Sequence, residues 1–195
     1  MVPRDDRRRG TTLLETSMSA TLLVGVVGTA LSLTRESQGV VLDCMRALVD
    51  RSESNDALAE LASALSQANG ATLQIDTRPV DGDRLLLQLP LEFAGAATTW
   101  GAAGQRQGTT ASLAGEFEEY RLVASQRAPG KFRLVRRAVD ADGAALSAER
   151  EVADGIDGAD PQGVKGFAVL RDESLVRITL RVGHAVEATV RLRNP

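Results

Sequence analysis

The sequence predicts an α+β fold in which a long N-terminal transmembrane helix is followed by a mostly antiparallel β-sheet head. Three patterns predict it. Between Thr11 and Thr34 the only charged residue is Glu15, from Val41 to Leu65 apolar residues recur at helical spacing, and beyond residue 70 they alternate with polar residues at period two. A chain of 195 residues accommodates this helix and one head domain, and requires no second domain.

The run TTLLETSMSATLLVGVVGTALSLT spans 24 residues and is closed by Arg35. As a helix it is about 36 Å long, enough to cross a hydrocarbon core of about 30 Å. Leu13, Leu14, Leu22, Leu23, Val24, Val26, Val27, Leu31 and Leu33 carry its apolar character, softened by Thr, Ser and Gly. Gly25 and Gly28 permit close helix approach, although their spacing is three rather than four. Arg4, Arg7, Arg8 and Arg9 precede the span, which predicts a cytoplasmic N-terminus and an exported C-terminal body.

Past Arg35 the helical pattern continues through Val41, Met45, Leu48 and Val49, then resumes at Leu58, Leu61 and Leu65 after the polar stretch Asp50 to Asn55. Ser54 or Asn55 can cap a new helix and Asn69-Gly70 can end it. The pattern therefore predicts one long helix, bent or interrupted near Ser52, that reaches about Ala68. The expected organisation is a leader over 1–10, a membrane half of the helix over 11–34, an exported half over 35–69 and a β-rich head over 70–195.

Several stretches read as strands. Leu85, Leu87, Leu89, Leu91 and Phe93 share one face of a predicted strand that has Arg84, Gln88 and Glu92 on the other. Tyr120, Leu122 and Ala124 mark a shorter one, and Phe132 and Leu134 open another. Val176, Ile178, Leu180 and Val182, then Val186, Ala188, Val190 and Leu192, form an alternating pair turned at Gly183-His184. One-sided strands of this kind suit an antiparallel sheet with one face packed on a helix. Ala94 to Ala114, rich in Gly, Ala and Thr around Trp100, reads as a long loop.

Composition excludes several functions. The net charge is −3, and because the first nine residues hold four arginines against two aspartates, the remainder carries −5. An acidic body with 3% aromatic residues gives no support for nucleic-acid binding. Cys44 and His184 are each the only residue of their type, so no intrachain disulfide and no cysteine-based metal site can be assembled. Asp140-Ala141-Asp142-Gly143 and the stretch Asp154 to Asp160 space carboxylates around glycines as calcium loops do, yet neither completes an EF-hand, and solvated turns are the expected reading. No nucleophile elbow, phosphate loop or paired-histidine motif occurs, so the sequence predicts neither an enzyme nor a cofactor.

The N-terminal pattern admits an ordinary secretory signal cut near Gly28-Thr29-Ala30, a plain signal anchor, or a third arrangement that accounts for Glu15. A carboxylate within an apolar helix costs up to about 2.5–3.5 kcal/mol at the membrane centre and less towards its edge. Arg7-Arg8-Arg9-Gly10 followed by Thr11-Thr12-Leu13-Leu14-Glu15 resembles the class III signal of type IV prepilins and pseudopilins. That resemblance implies cleavage between Gly10 and Thr11 by a prepilin peptidase, N-methylation of Thr11, and a role for Glu15 in pairing with the terminal amine of a neighbouring subunit. It further implies other pilin or pseudopilin subunits, an inner-membrane assembly platform and the lipid bilayer as partners. The chain would then reside in the bacterial inner membrane, single-pass, before entering a type IV pilus or a type II secretion pseudopilus.

Two departures refine the resemblance. Thr11 stands where the family often has phenylalanine or methionine, and Ser32 stands where major pilins commonly have a mid-helix proline. The second departure implies a straighter helix and a minor subunit. The closing Val190-Arg191-Leu192-Arg193-Asn194 resembles the ending of PilW-like and J-type minor subunits. The alternative expectation is a single-pass membrane-anchored extracytoplasmic binding domain, for which Glu15 would be dispensable.

Overall fold

The computed structural model describes residues 13–94, 97–106 and 112–194; the expected cleavage pair Gly10 and Thr11 lies outside them. The fold is α+β, with one long N-terminal helix followed by antiparallel sheets. The chain divides into two units, Met1–Leu48 and Val49–Pro195, and helix α1 (Leu13–Gln67) contributes to both. The second unit begins at Val49, ahead of the strands, because the last turns of α1 belong to its core.

Helix α1 runs without interruption through Ser52, Ser54 and Asn55, so of the bend or interruption expected near Ser52 the interruption is absent. Nothing from Asp50 to Asn55 is Gly or Pro, so the polar stretch contains no residue that must break the hydrogen-bond ladder. Ser54 is buried within the helix rather than capping a new one. Downstream, Ala57, Leu58, Leu61, Ala64, Leu65 and Ala68 are all buried, a stripe at spacings of one, three and four that marks one helix face. The helix closes at Gln67 without a left-handed glycine at Gly70: the Asn69 N–H donates to the Gln88 carbonyl (3.0 Å) and the Gly70 N–H to the Asn194 carbonyl (2.6 Å).

Among the described residues eleven strands follow: β1 (Gln74–Asp76), β2 (Arg84–Leu87), β3 (Leu89–Ala94), β4 (Ala97–Gln105), β5 (Ser112–Ala114), β6 (Phe117–Ala124), β7 (Phe132–Val139), β8 (Arg150–Ile156), β9 (Phe167–Asp172), β10 (Leu175–Val182) and β11 (His184–Arg191). They form sheets of order β1-β2-β6-β7-β8, β11-β10-β9 and β3-β4-β5, with all strand pairs antiparallel. Leu85, Leu87, Tyr120 and Leu134 of the first sheet and Phe167, Val176, Ile178 and Leu180 of the second join the helix stripe in a single hydrophobic core.

Three expectations are corrected. The single strand expected across Leu85–Phe93 is two strands in different sheets, separated at buried Gln88, whose side-chain amide donates to the Gly115 carbonyl (2.8 Å). Alternation continues in phase across the break, so the period alone cannot register the change of sheet. The Ala94–Ala114 stretch is not a loop: it supplies β4 and β5, with half-buried Trp100 opposite Pro90. Its small residues have a structural reason, since a Cβ on Gly101 would collide with the Leu113 carbonyl and the Leu91 side chain (2.8 Å). Finally, the last hairpin pivots on Gly183 alone (φ 70°), with His184 already paired to Val182.

Leu61, fully buried at the centre of the helix stripe, tests the role of α1 in the head core. Leu61→Ala should lower head stability by about 3 kcal/mol, read from denaturant unfolding. A loss under about 1 kcal/mol would mean that the stripe is not packed as described.

Candidate functional site: the N-terminal membrane helix

From Glu15 to Leu48 every described side chain of α1 is exposed, including Leu22, Leu23, Val24, Val26, Val27, Leu31 and Leu33, each at least 49% exposed. These large apolar side chains cover a little more than half of the circumference of the helix, and the remaining side carries small and hydroxyl residues. The helix is long and apolar enough to cross a membrane once, near the N-terminus.

Several of the hydroxyls in and just beyond this run bond back onto their own helix. Ser19 donates to the Glu15 carbonyl (2.8 Å), Thr21 to Ser17 (2.9 Å), Thr29 to Gly25 (3.0 Å), Thr34 to Ala30 (2.8 Å) and Ser37 to Leu33 (2.7 Å). Each bond returns four residues along the helix, so the hydroxyl is satisfied within the segment, as hydrocarbon requires. Gly25 and Gly28 face open space, and with Ser17, Thr21 and Ser32 they line one side of the helix at spacings of four, four, three and four.

Glu15 lies in the first turn of α1 and is exposed. The unsatisfied N–H groups at a helix start favour negative charge there. Beyond Arg35 and Glu36 the helix exposes Val40, Val41, Leu42, Met45 and Leu48 by half or more, and the Cys44 thiol is free and exposed.

No family model, curated protein or solved structure matches the chain.

In the head, a feature the sequence did not announce is a pair of buried carboxylates. Glu118 and Glu119 are each 1% exposed and, as neighbours on β6, point to opposite faces of the first sheet. Glu118 accepts from Arg136 (2.6 Å) and from the Ala103 N–H (3.2 Å), while Arg136 also reaches Glu60 on α1 (3.0 Å). Glu119 pairs with Arg84 and Arg137. Burial pushes the Glu118 carboxyl above the ordinary value of 4.5, a rise that Arg136 only partly opposes, and burial together with the Glu118 charge raises the Tyr120 hydroxyl. These two charges are buried and lie on no solvated face. Beside Glu119 lies a cleft of about 400 Å³ lined in part by Asp83, Arg84, Arg121, Arg137 and Asp142. Its arginines Arg84, Arg121 and Arg137 are paired to Glu119.

The first acidic glycine-bearing stretch is a turn, whereas Asp154, Gly155 and Ile156 of the second lie in β8 and a turn begins only at Asp160. The Asp140 carboxylate accepts from the N–H groups of Asp142 (3.0 Å) and Ala144 (2.8 Å), and Asp160 repeats the arrangement with Gln162 (2.9 Å) and Val164 (2.8 Å). Gly143 and Gly163 close the two turns at φ of 85° and 82°. Among the described residues no group of three or more His, Cys, Asp or Glu side chains is placed to hold a metal ion.

Asp157 clamps the last hairpin, pairing with Lys131 and accepting from the Gly183 N–H (2.7 Å). Burial alone would raise its carboxyl, but those bonds and the charges of Lys131 and Arg181 hold it below the ordinary 3.8. A carboxyl held low in the folded state adds stability that is complete above its unfolded value and is lost as pH falls through the folded one. Asp157→Asn should therefore cost about 1 kcal/mol at pH 7, with the gap from the parent shrinking as melts are taken below pH 3.8. A gap independent of pH would assign the loss to packing instead.

Proposed function

We propose that the chain is a minor pilin or pseudopilin subunit: a structural protein processed by a prepilin peptidase, held in the bacterial inner membrane by α1, and assembled into a type IV pilus or a type II secretion pseudopilus. Its N-terminus is cytoplasmic before processing and its head is exported. The observation that carries this reading is the single helix Leu13–Gln67, whose start is lipid-compatible with one carboxylate in its first turn and whose end forms part of a β-sheet head. A plain anchor has no use for Glu15 near its cytoplasmic end, nor for a leader that ends in glycine just before the apolar run.

In this role the leader of residues 1–10 is removed and the span is kept. Thr11 then becomes the N-terminus, four residues before Glu15, and the Glu15 carboxylate neutralises the terminal amine of an adjacent subunit as the helices gather. The stripe of Ser17, Thr21, Gly25, Gly28 and Ser32 supports the reading, because small residues let helix backbones approach closely in a membrane. The exposed apolar side chains from Val40 to Leu48 extend the same helix beyond the bilayer and find cover in neighbouring helices of the filament.

Mass spectrometry of the mature protein should show a methylated Thr11 at the N-terminus. A terminus at Leu31 would replace this reading with ordinary secretion, and an uncut leader would leave a membrane-anchored binding domain. Glu15→Ala should yield a processed, membrane-bound chain whose incorporation into sheared filaments falls at least tenfold; wild-type incorporation would remove the assembly role of Glu15.

A further inference from the structure

The head leaves one of its sheet edges open. Strand β1 is three residues long, as is β5; β3 carries Pro90 and an irregularity in register; the pairing of β8 is irregular at two points. The outer edge of β9 is occupied by the 82–83 segment, where the Asp83 N–H donates to the Phe167 carbonyl (2.8 Å) and its carboxylate accepts from the Val169 N–H (2.8 Å). These are the usual devices that keep strand edges from pairing with other chains.

Strand β11 has none of them. It is eight residues long, its pairing with β10 is unbroken over eight positions, and it contains no proline or lysine. The direction of its backbone groups follows from two bonds. Leu192 N–H donates to the Ser174 carbonyl directly opposite (2.8 Å), so alternate residues Val190, Ala188 and Val186 also turn their backbone groups towards β10. Arg181 N–H, on the other parity of β10, donates away from β11 to the Gly166 carbonyl (2.9 Å), in agreement. The N–H and C=O groups of Ala185, Glu187, Thr189 and Arg191 therefore point outward, where among the described residues no strand pairs with them.

We propose that this edge pairs antiparallel with the same edge of a second copy of the chain, centred on Thr189. A twofold pairing must match outward groups with outward groups. Centred on Glu187 it would oppose two glutamates, and centred on Ala188 it would place Glu187 against Thr189. Centred on Thr189 it sets Glu187 of each copy opposite Arg191 of the other, twice, with three hydrogen-bonded residue pairs between them. On the inward face the same register sets Ala188 against Val190 and half-buried Val186 against Leu192, extending the core face of the sheet across the junction. Opposite charges directly across an antiparallel pair stabilise it, and like charges oppose it.

The test uses the full chain in detergent micelles with Cys44→Ser as background, Thr189→Cys as the probe and Gln126→Cys, exposed on a turn of the head, as the control. A short bismaleimide crosslinker should give a covalent homodimer through Thr189→Cys at least tenfold more than through Gln126→Cys. Glu187→Arg or Arg191→Glu alone should reduce that crosslink tenfold or more, and the two together should restore it. Equal crosslinking at the two cysteines overturns the proposal, as do reversals that leave the yield unchanged, a double reversal that fails to restore it, or a Thr189→Cys adduct formed only with a different protein.

Discussion

The face of α1 from Ala57 to Ala68 is the constraint on which the head depends. Six small or branched apolar residues are presented along about 17 Å of helix, and side chains from two sheets join them in one core. Leu85, Leu87, Tyr120 and Leu134 come from one sheet and Val176, Ile178 and Leu180 from the other, so the helix is the element both sheets share. Alanine at 57, 64 and 68 keeps the helix narrow enough for sheet side chains to pack between the leucines. A three-stranded sheet such as β11-β10-β9 gains independent stability only with a hydrophobic face covered, and here the cover is a helix whose other end is suited to lipid.

Against that core the buried pair Glu118-Glu119 looks expensive. Removing a carboxylate from water costs several kcal/mol, and Arg136 at 2.6 Å, with the Ala103 N–H, offsets the cost at Glu118 only when all are in place. What the arrangement adds is positional. Glu118 draws on β4 through Ala103 and, through Arg136, on Glu60 of α1, while Glu119 gathers Arg84 from β2 and Arg137 from β7. A slip of one residue along β6 would exchange the two faces and leave both carboxylates without their arginines. The two glutamates therefore fix the register of β6 in a way that leucine at either position would not.

The sequence made most of the helix and the strands of the last hairpin legible through their periods, although the polar stretch Asp50 to Asn55 read as a bend or break and Gly183-His184 as a two-residue turn. Leu58, Leu61 and Leu65 keep helical spacing, and Val176 to Val182 alternate residue by residue, so burial could be read directly. The switch of sheets at Gln88 was hidden because alternation continues in phase on either side of it. β4 was hidden because its glycines and alanines are there for close backbone approach, at Gly101 above all, and small residues carry little periodic signal. Glu118 and Glu119 were hidden because their arginine partners come from other strands and are brought together only by the fold. Glu15 was legible as an oddity in the membrane run; the residues before it that define the proposed processing site, Gly10 and Thr11, lie outside the described structure.

The polar content of the span bears on the proposal that one helix serves as both anchor and assembly element. A run built only of leucine and valine would be held in lipid more strongly, but would offer neighbouring helices only bulky side chains. Thr21 and Thr29 bond back onto their own helix, which removes most of the cost of placing hydroxyls in hydrocarbon, and Gly25 and Gly28 keep one side of the helix low. The segment is then apolar enough to remain in the bilayer and small enough on one side for another helix to lie against it. Glu15 fits the same compromise. In the first turn the helix dipole and the nearby membrane edge lower the cost of its charge, so it is tolerated in a single chain, whereas nearer Val24 it would not be. A carboxylate that is tolerable alone but improved by a neighbouring cation favours association without forcing it, which fits the subunit role proposed above.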